Sequence, residues 1–256
     1  MLWEIYKIMI PVFGLFIGSF ANVLIWRIPR KEEWIFTPSH CPGCGKRLTY
    51  PDMVPVLSWL FLRGRCRFCS AKISARYPAV ELLNGFLWLV CAYVFGPTWF
   101  LPVSLAVSTA LLTLSFIDWD TSEIPDGLNL FILVVGILWN LYAFFRGEGI
   151  LLRNIIGFFS VSLLFLVIAM LSNGGMGGGD IKLTAVCGLI LGWQNMLVAL
   201  GIASVLGMVI MLPLHIVKKR SRKTPVPFGP FLSAGIFISM CFGTKIMQTY
   251  LNLFAG

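Results

Sequence analysis

Apolar residues run along this chain in blocks too long for a soluble core, and polar residues collect between them. Ile8–Trp26 is 19 residues without a charge, Leu82–Ile117 is 36, Gly127–Phe145 is 19, Asn154–Gly179 is 26, Leu183–Val217 is 35 and Thr224–Thr244 is 21. A helix needs about 20 apolar residues to cross the hydrocarbon layer. Gly96-Pro97 divides the second block and Gly192–Asn195 the fifth, so the pattern predicts about eight transmembrane helices. The segment 181–193 is short for the full hydrocarbon thickness at about 1.5 Å per residue. The expected fold class is an all-α polytopic membrane protein. Its expected domains are a first transmembrane helix over 1–26, a cytoplasmic loop domain over 27–77 and a seven-helix membrane domain over 78–256.

Composition supports lipid as the solvent. The chain is 58% hydrophobic and 12% charged, whereas soluble domains carry about 25% charged residues. Its net charge is +9, but the bases alternate with apolar runs, which points to membrane topology and lipid contact rather than nucleic acid. With the N-terminus outside, the loop Arg27–Tyr77 holds ten Lys/Arg, Lys218–Lys223 five and Lys182 one, against Lys7, Arg146, Arg153 and Lys245 outside. The positive-inside rule selects that orientation. The bases Arg27, Arg30 and Lys31 after the first apolar run, and the poor cleavage match at Ser19-Phe20-Ala21, argue against a removed signal peptide.

Within the first cytoplasmic loop lie HCPGCGKRL (His40–Leu48) and RCRFCS (Arg65–Ser70). Each holds a Cys-x-x-Cys, with 21 residues between Cys44 and Cys66. Two such knuckles can set Cys41, Cys44, Cys66 and Cys69 tetrahedrally around one Zn²⁺, and four thiolates leave no open position, so the site is structural. A redox dithiol is the rival for this pattern. Cys91, Cys187 and Cys241 lie in apolar spans and read as small core residues.

Two acids stand at the cytoplasmic ends of predicted helices. Asp118 is the first charge after the 36-residue block, and Asp180 follows the glycines of GGMGGGDIKL (Gly174–Leu183). Acids at or within the membrane are functional candidates. Brought together, two carboxyls share a proton, and one can activate water while the other protonates a peptide carbonyl. Gly177, Gly178, Gly179 and Lys182 are expected to support the active-site loop, the glycines leaving room for an extended substrate. A phosphate cradle is disfavoured, because apolar helices flank the glycines and Asp stands where that motif has Lys. Asp126 is expected as an N-cap, and Asp120 and Glu123 as solvated charges. His40 and His215 are the chain's two histidines, and neither a His-Glu-x-x-His nor a Gly-x-Ser-x-Gly is present. A zinc-bearing membrane scaffold and a proton-relay transporter are the non-hydrolytic alternatives. Pairing of Asp118 with Asp180 discriminates against both.

GMGGGDIKL (Gly175–Leu183) and the IDWD and IPD segments within Ile117–Asp126 resemble the type IV prepilin peptidase family of membrane aspartic proteases. GSFANVLIWRIPR (Gly18–Arg30), the two cysteine pairs, PVLSWLFLRGRCRFC (Pro55–Cys69), ISARYPAVELLNG (Ile73–Gly85) and PFGPFL (Pro227–Leu232) extend the resemblance over nearly the whole chain. It implies removal of a short basic leader from prepilins or pseudopilins at the cytoplasmic face of a bacterial cytoplasmic membrane. Asp118 and Asp180 match the family's catalytic pair, and the four cysteines its zinc loop. Many members also methylate the new N-terminus with S-adenosylmethionine; no residue is placed for that step, and a peptidase without it is the alternative. Glu32, Glu33, Glu81, Asp120 and Glu123 read as solvated loop charges, with an acidic path for the leader as the alternative.

Overall fold

The computed structural model describes residues 2–171, 176–218 and 227–254, with side chains of 3–171, 176–211 and 227–253. The basic loop after Lys218, Gly174, Gly175 and the His215 side chain fall outside the described residues. Among those described, all regular structure is helical apart from two isolated β-bridges. The helices are α1 (Leu2–Arg27), α2 (Leu57–Phe61), α3 (Arg76–Phe95), α4 (Phe100–Thr121), α5 (Asp126–Phe145), α6 (Leu151–Leu171), α7 (Gly178–Lys218) and α8 (Gly229–Phe254). Seven are long and apolar enough to cross a membrane, and α2 is not.

The breaks follow backbone chemistry. Gly96 at φ 59° ends α3 before Pro97. Gly192, at φ 78° and ψ 166°, interrupts α7, so this helix supplies two of the eight predicted segments. Carbonyls near a helix end lose their intrahelical partners. The Leu189 carbonyl instead accepts Asn140 Nδ2 at 2.8 Å, and Asn154 Nδ2 donates to Asn140 Oδ1 at 3.0 Å. The last span starts later than the apolar run suggested, at Gly229, because Pro227 and Pro230 confine the helix start. It continues past Lys245, since one charge does not end a helix.

The chain divides into two compact units, Met1–Leu101 and Pro102–Gly256. In the first, α1 and α3 pack antiparallel: Asn84 Nδ2 donates to the Gly14 carbonyl at 2.7 Å and Asn22 Nδ2 to that of Tyr77 at 3.0 Å. The segment between them is held from both helices. Arg27, buried at the end of α1, donates to the carbonyls of Glu33 and Thr37 at 2.9 and 2.7 Å. Glu81, 8% exposed on α3, accepts the Val56 N–H at 2.7 Å. In the second unit α6, α7 and α8 pack closely and α5 lies along α7. The outward faces stay apolar, with Leu130, Ile137, Leu141 and Phe144 of α5 exposed, as expected of helices solvated by lipid.

Candidate active site and metal centre

The second unit brings together the ends of four helices, α4, α5, α7 and α8. Asp118 lies in the last turn of α4, 5% exposed, and Asp180 in the first turn of α7, 8% exposed. The backbone N–H of Gly229, first residue of α8, donates to Asp118 Oδ2 at 2.9 Å. Asp180 Oδ1 has no hydrogen-bond partner, and Asp180 lies within electrostatic reach of the Asp118 carboxyl. Two buried carboxyls in mutual reach, one already accepting a hydrogen bond, form an unequal pair, suited to one acid and one base.

The surrounding loops are fixed around this pair. Ser122, at φ 54°, returns its N–H to the Asp118 carbonyl at 2.8 Å and turns the chain out of α4. Ile124 then packs on Gly179, where a Cβ would come within 2.5 Å of the isoleucine Cβ. The room foreseen beside the acid is thus filled at Gly179 and open at Gly178, where a Cβ would meet nothing. Lys182 Nζ ion-pairs with Asp126 Oδ1 at 2.7 Å, with both groups exposed. Asp126 is therefore the first residue of α5, with Pro125 as its cap, and its side chain ties α5 to α7 instead of capping. Asp120 and Glu123 are exposed.

In the first unit the four cysteines converge, all Sγ atoms lying within 4.8 Å of one another. The two knuckles are built alike. Cys41 N donates to the Lys46 carbonyl and Cys66 N to that of Ala71, each at 2.9 Å. Gly45 (φ 68°) and Ser70 (φ 57°) take the same left-handed turn after the second cysteine of each pair. A tetrahedral ion with Zn–S bonds of about 2.3 Å sets sulfurs about 3.8 Å apart, and Cys41 and Cys69 Sγ stand at 3.8 Å. Backbone N–H groups of Cys69 and Phe68 hold the Cys66 thiol down to about 7. Donor set and spacing fit a metal ion. Asp52 braces the cluster: its Oδ1 pairs with Arg67 at 2.8 Å, and hydrogen bonds from Thr49 hold its carboxyl below the usual range.

Known proteins carry the same two parts. The family model for the Bacterial Peptidase A24 N-terminal domain matches residues 12–95, and that for the Type IV leader peptidase family matches residues 105–212. The prepilin leader peptidase/N-methyltransferase of Aeromonas hydrophila is 36% identical over 98% of this chain and 95% of its own length. The chain belongs to the type IV leader peptidase family. Similar proteins of the same description from Legionella pneumophila (34%, covering 98% of this chain and 96% of theirs) and Pseudomonas aeruginosa (32%, 95% and 92%) agree. No solved structure matches the chain.

This peptidase is thus a multi-pass membrane enzyme with a four-cysteine cluster between α1 and α3. Sequence reasoning did not find the roles of Gly229, Ile124, Arg27 and Glu81. All four lie in segments that carry the family resemblance, GSFANVLIWRIPR, IPD, ISARYPAVELLNG and PFGPFL, but those segments do not reveal which partners the residues hold.

Proposed function

We propose that the protein is a membrane aspartic endopeptidase that removes the basic leader of prepilins or pseudopilins, with Asp118 and Asp180 as its catalytic pair. The observation that carries this is the burial of both acids in mutual electrostatic reach, with Asp118 held by Gly229. The ionised carboxylate takes a proton from water as oxygen attacks the scissile carbonyl, and the protonated one gives its proton to the carbonyl oxygen. Collapse of the tetrahedral intermediate then passes a proton to the leaving amine and regenerates the shared-proton pair. Gly177, Gly178, Gly179 and Lys182 keep the loop around Asp180 in place.

The distribution of basic residues supports an N-terminus outside the bacterial cytoplasmic membrane and an active site at its cytoplasmic face. The loop bases then meet anionic lipid headgroups rather than nucleic acid. Cys41, Cys44, Cys66 and Cys69 hold zinc as a structural ion that folds the loop.

The family's curated relatives are also named as N-methyltransferases, and we assign the same second activity here, with S-adenosylmethionine as donor. The first unit contains a cavity of about 420 Å³, walled by rings such as Trp26, Trp59 and Tyr77 and by the carboxylates of Glu32 and Glu81. Its size suits a ligand of that class, and aromatic faces with carboxylates suit a purine and a sulfonium. When bound, the donor supplies the methyl group for the amine that cleavage frees.

The test is mass spectrometry of a prepilin incubated with the purified protein, with and without S-adenosylmethionine. The expected products are the shortened pilin without the donor and the same chain one methyl heavier with it. An intact prepilin under both conditions removes the peptidase reading. A shortened but unmethylated product removes the methyltransferase alone.

A further inference from the structure

Helix α5 turns one stripe toward α7: Asn129, Ile132, Gly136, Asn140 and Ala143 are buried along it. Asn140 is fully employed, donating to the carbonyls of Gly136 and Leu189 and accepting from Asn154. Asn129, three turns away on the same stripe and 4% exposed, has no partner for Nδ2 or Oδ1. Side-chain amides buried without partners are rare, because they lose water and gain nothing in return.

The distribution of such atoms is informative. Among the described residues of the second unit, four buried side-chain atoms lack a partner: Asn129 Nδ2, Asn129 Oδ1, Asp180 Oδ1 and Ser233 Oγ. Asp180 is one of the two acids, and Asn129 and Ser233 lie on α5 and α8, whose first residues contact Lys182 and Asp118 respectively. Asp126 is bonded to Lys182, two residues past Asp180, so Asn129 lies roughly one turn further along α5 than that junction. Side chains lean toward the N-terminus of their helix, which tilts the Asn129 amide back toward the Asp126–Lys182 junction. Ser233, 3% exposed, lies one turn past Gly229, whose N–H holds Asp118.

A peptide drawn out of helical form in this setting exposes its own N–H and C=O groups, each needing a partner where water is scarce. An asparagine amide offers a donor and an acceptor side by side, the complement of a peptide group. We propose that Asn129 and Ser233 are substrate-holding residues that hydrogen-bond the main chain of the extended segment beside the scissile bond, Asn129 from the α5 side and Ser233 from the α8 side. This rests on the peptidase reading above and adds its means of gripping a peptide independently of side-chain identity.

The test pairs stability with turnover. Asn129→Leu keeps the branched four-atom side-chain skeleton and removes the unpaired amide. The thermal midpoint in detergent is expected to hold or rise, while kcat/KM on a prepilin falls at least about tenfold. Asn140→Leu, by contrast, should lower the midpoint. Ser233→Ala, a one-atom deletion, is expected to keep the midpoint and lose about threefold to tenfold in kcat/KM. An Asn129→Leu enzyme within twofold of wild type in kcat/KM overturns the inference, as does one whose midpoint and activity fall together. If Asn129→Leu fails to fold, Asn129 is a packing residue and the inference likewise fails. A wild-type protein that cleaves no prepilin removes the peptidase reading itself, and this inference with it.

Discussion

Gly229 and Asp118 are 111 positions apart, yet the backbone N–H of the glycine reaches Oδ2 of the acid at 2.9 Å. The start of α8 thereby sets the orientation of a carboxyl on α4. A Cβ at Gly229 would lie 2.7 Å from the same oxygen. Gly229→Ala must push Asp118 aside, and a displacement of about 1 Å at a reacting group can cost about 100-fold in rate. The expected result is a loss of at least about tenfold in kcat on a prepilin with metal content unchanged, read by single-turnover cleavage and metal analysis.

Asp118→Asn and Asp180→Asn should each reduce cleavage by about 10²–10⁴-fold, the range general acid–base groups contribute. Both variants should still insert and retain metal. Cleavage at the wild-type rate in either variant would refute the catalytic assignment.

The contact between Gly179 and Ile124 is testable as a coupled pair. Gly179→Ala overpacks that contact, at a cost of about 1–3 kcal/mol. Ile124→Gly removes the Cβ that the new methyl would meet, so it should cost less stability in the Gly179→Ala background than in the wild type. A double-mutant cycle on the thermal midpoint measures the coupling, and additive effects would show that the two residues do not share the space.

In the metal centre, Cys41→Ser or Cys66→Ser should lower the metal content from about one ion per chain, the value expected of a four-thiolate site. Folded yield should fall with it. Full occupancy in either variant excludes a site shared by all four cysteines.

Ser70 occupies the left-handed turn that Gly45 occupies in the other knuckle. A non-glycine residue in that region is strained by about 1–2 kcal/mol, and glycine returns part of this as greater chain entropy when unfolded. Ser70→Gly should stabilise the metal-loaded loop by about 0.5–1 kcal/mol, seen as slower metal release to a chelator. Faster release would show that the serine hydroxyl contributes more than its backbone strain costs.

Long uncharged runs and glycine-proline breaks made the helices legible, because lipid imposes length and apolarity on any span. The cysteine pairs were equally plain, since metal geometry constrains spacing within a short loop. Asp118 and Asp180 stood out as acids next to lipid. Partners chosen by tertiary packing were hidden. Gly229 donates through its backbone, which any residue but proline carries, so its bond to Asp118 has no signature. Glu81 and Arg27 looked like loop charges but are buried ties for the loop, a distinction that depends on what packs above them. Asp126 looked like a cap because it follows Pro125; its pairing with Lys182 follows from α5 and α7 lying side by side.

The interruption of α7 at Gly192 leaves a short half-helix packed within the protein. The part that carries Asp180, residues 178–191, is about 21 Å long at 1.5 Å per residue, and 183–188, 190 and 191 are buried. Protein side chains rather than acyl chains surround it, so a hydrocarbon layer of about 30 Å places no demand on its length. Reconstituted in phospholipids of different tail length, the enzyme should keep a nearly constant turnover, because bilayer strain falls on the long lipid-facing helices and spares the one that bears the acid.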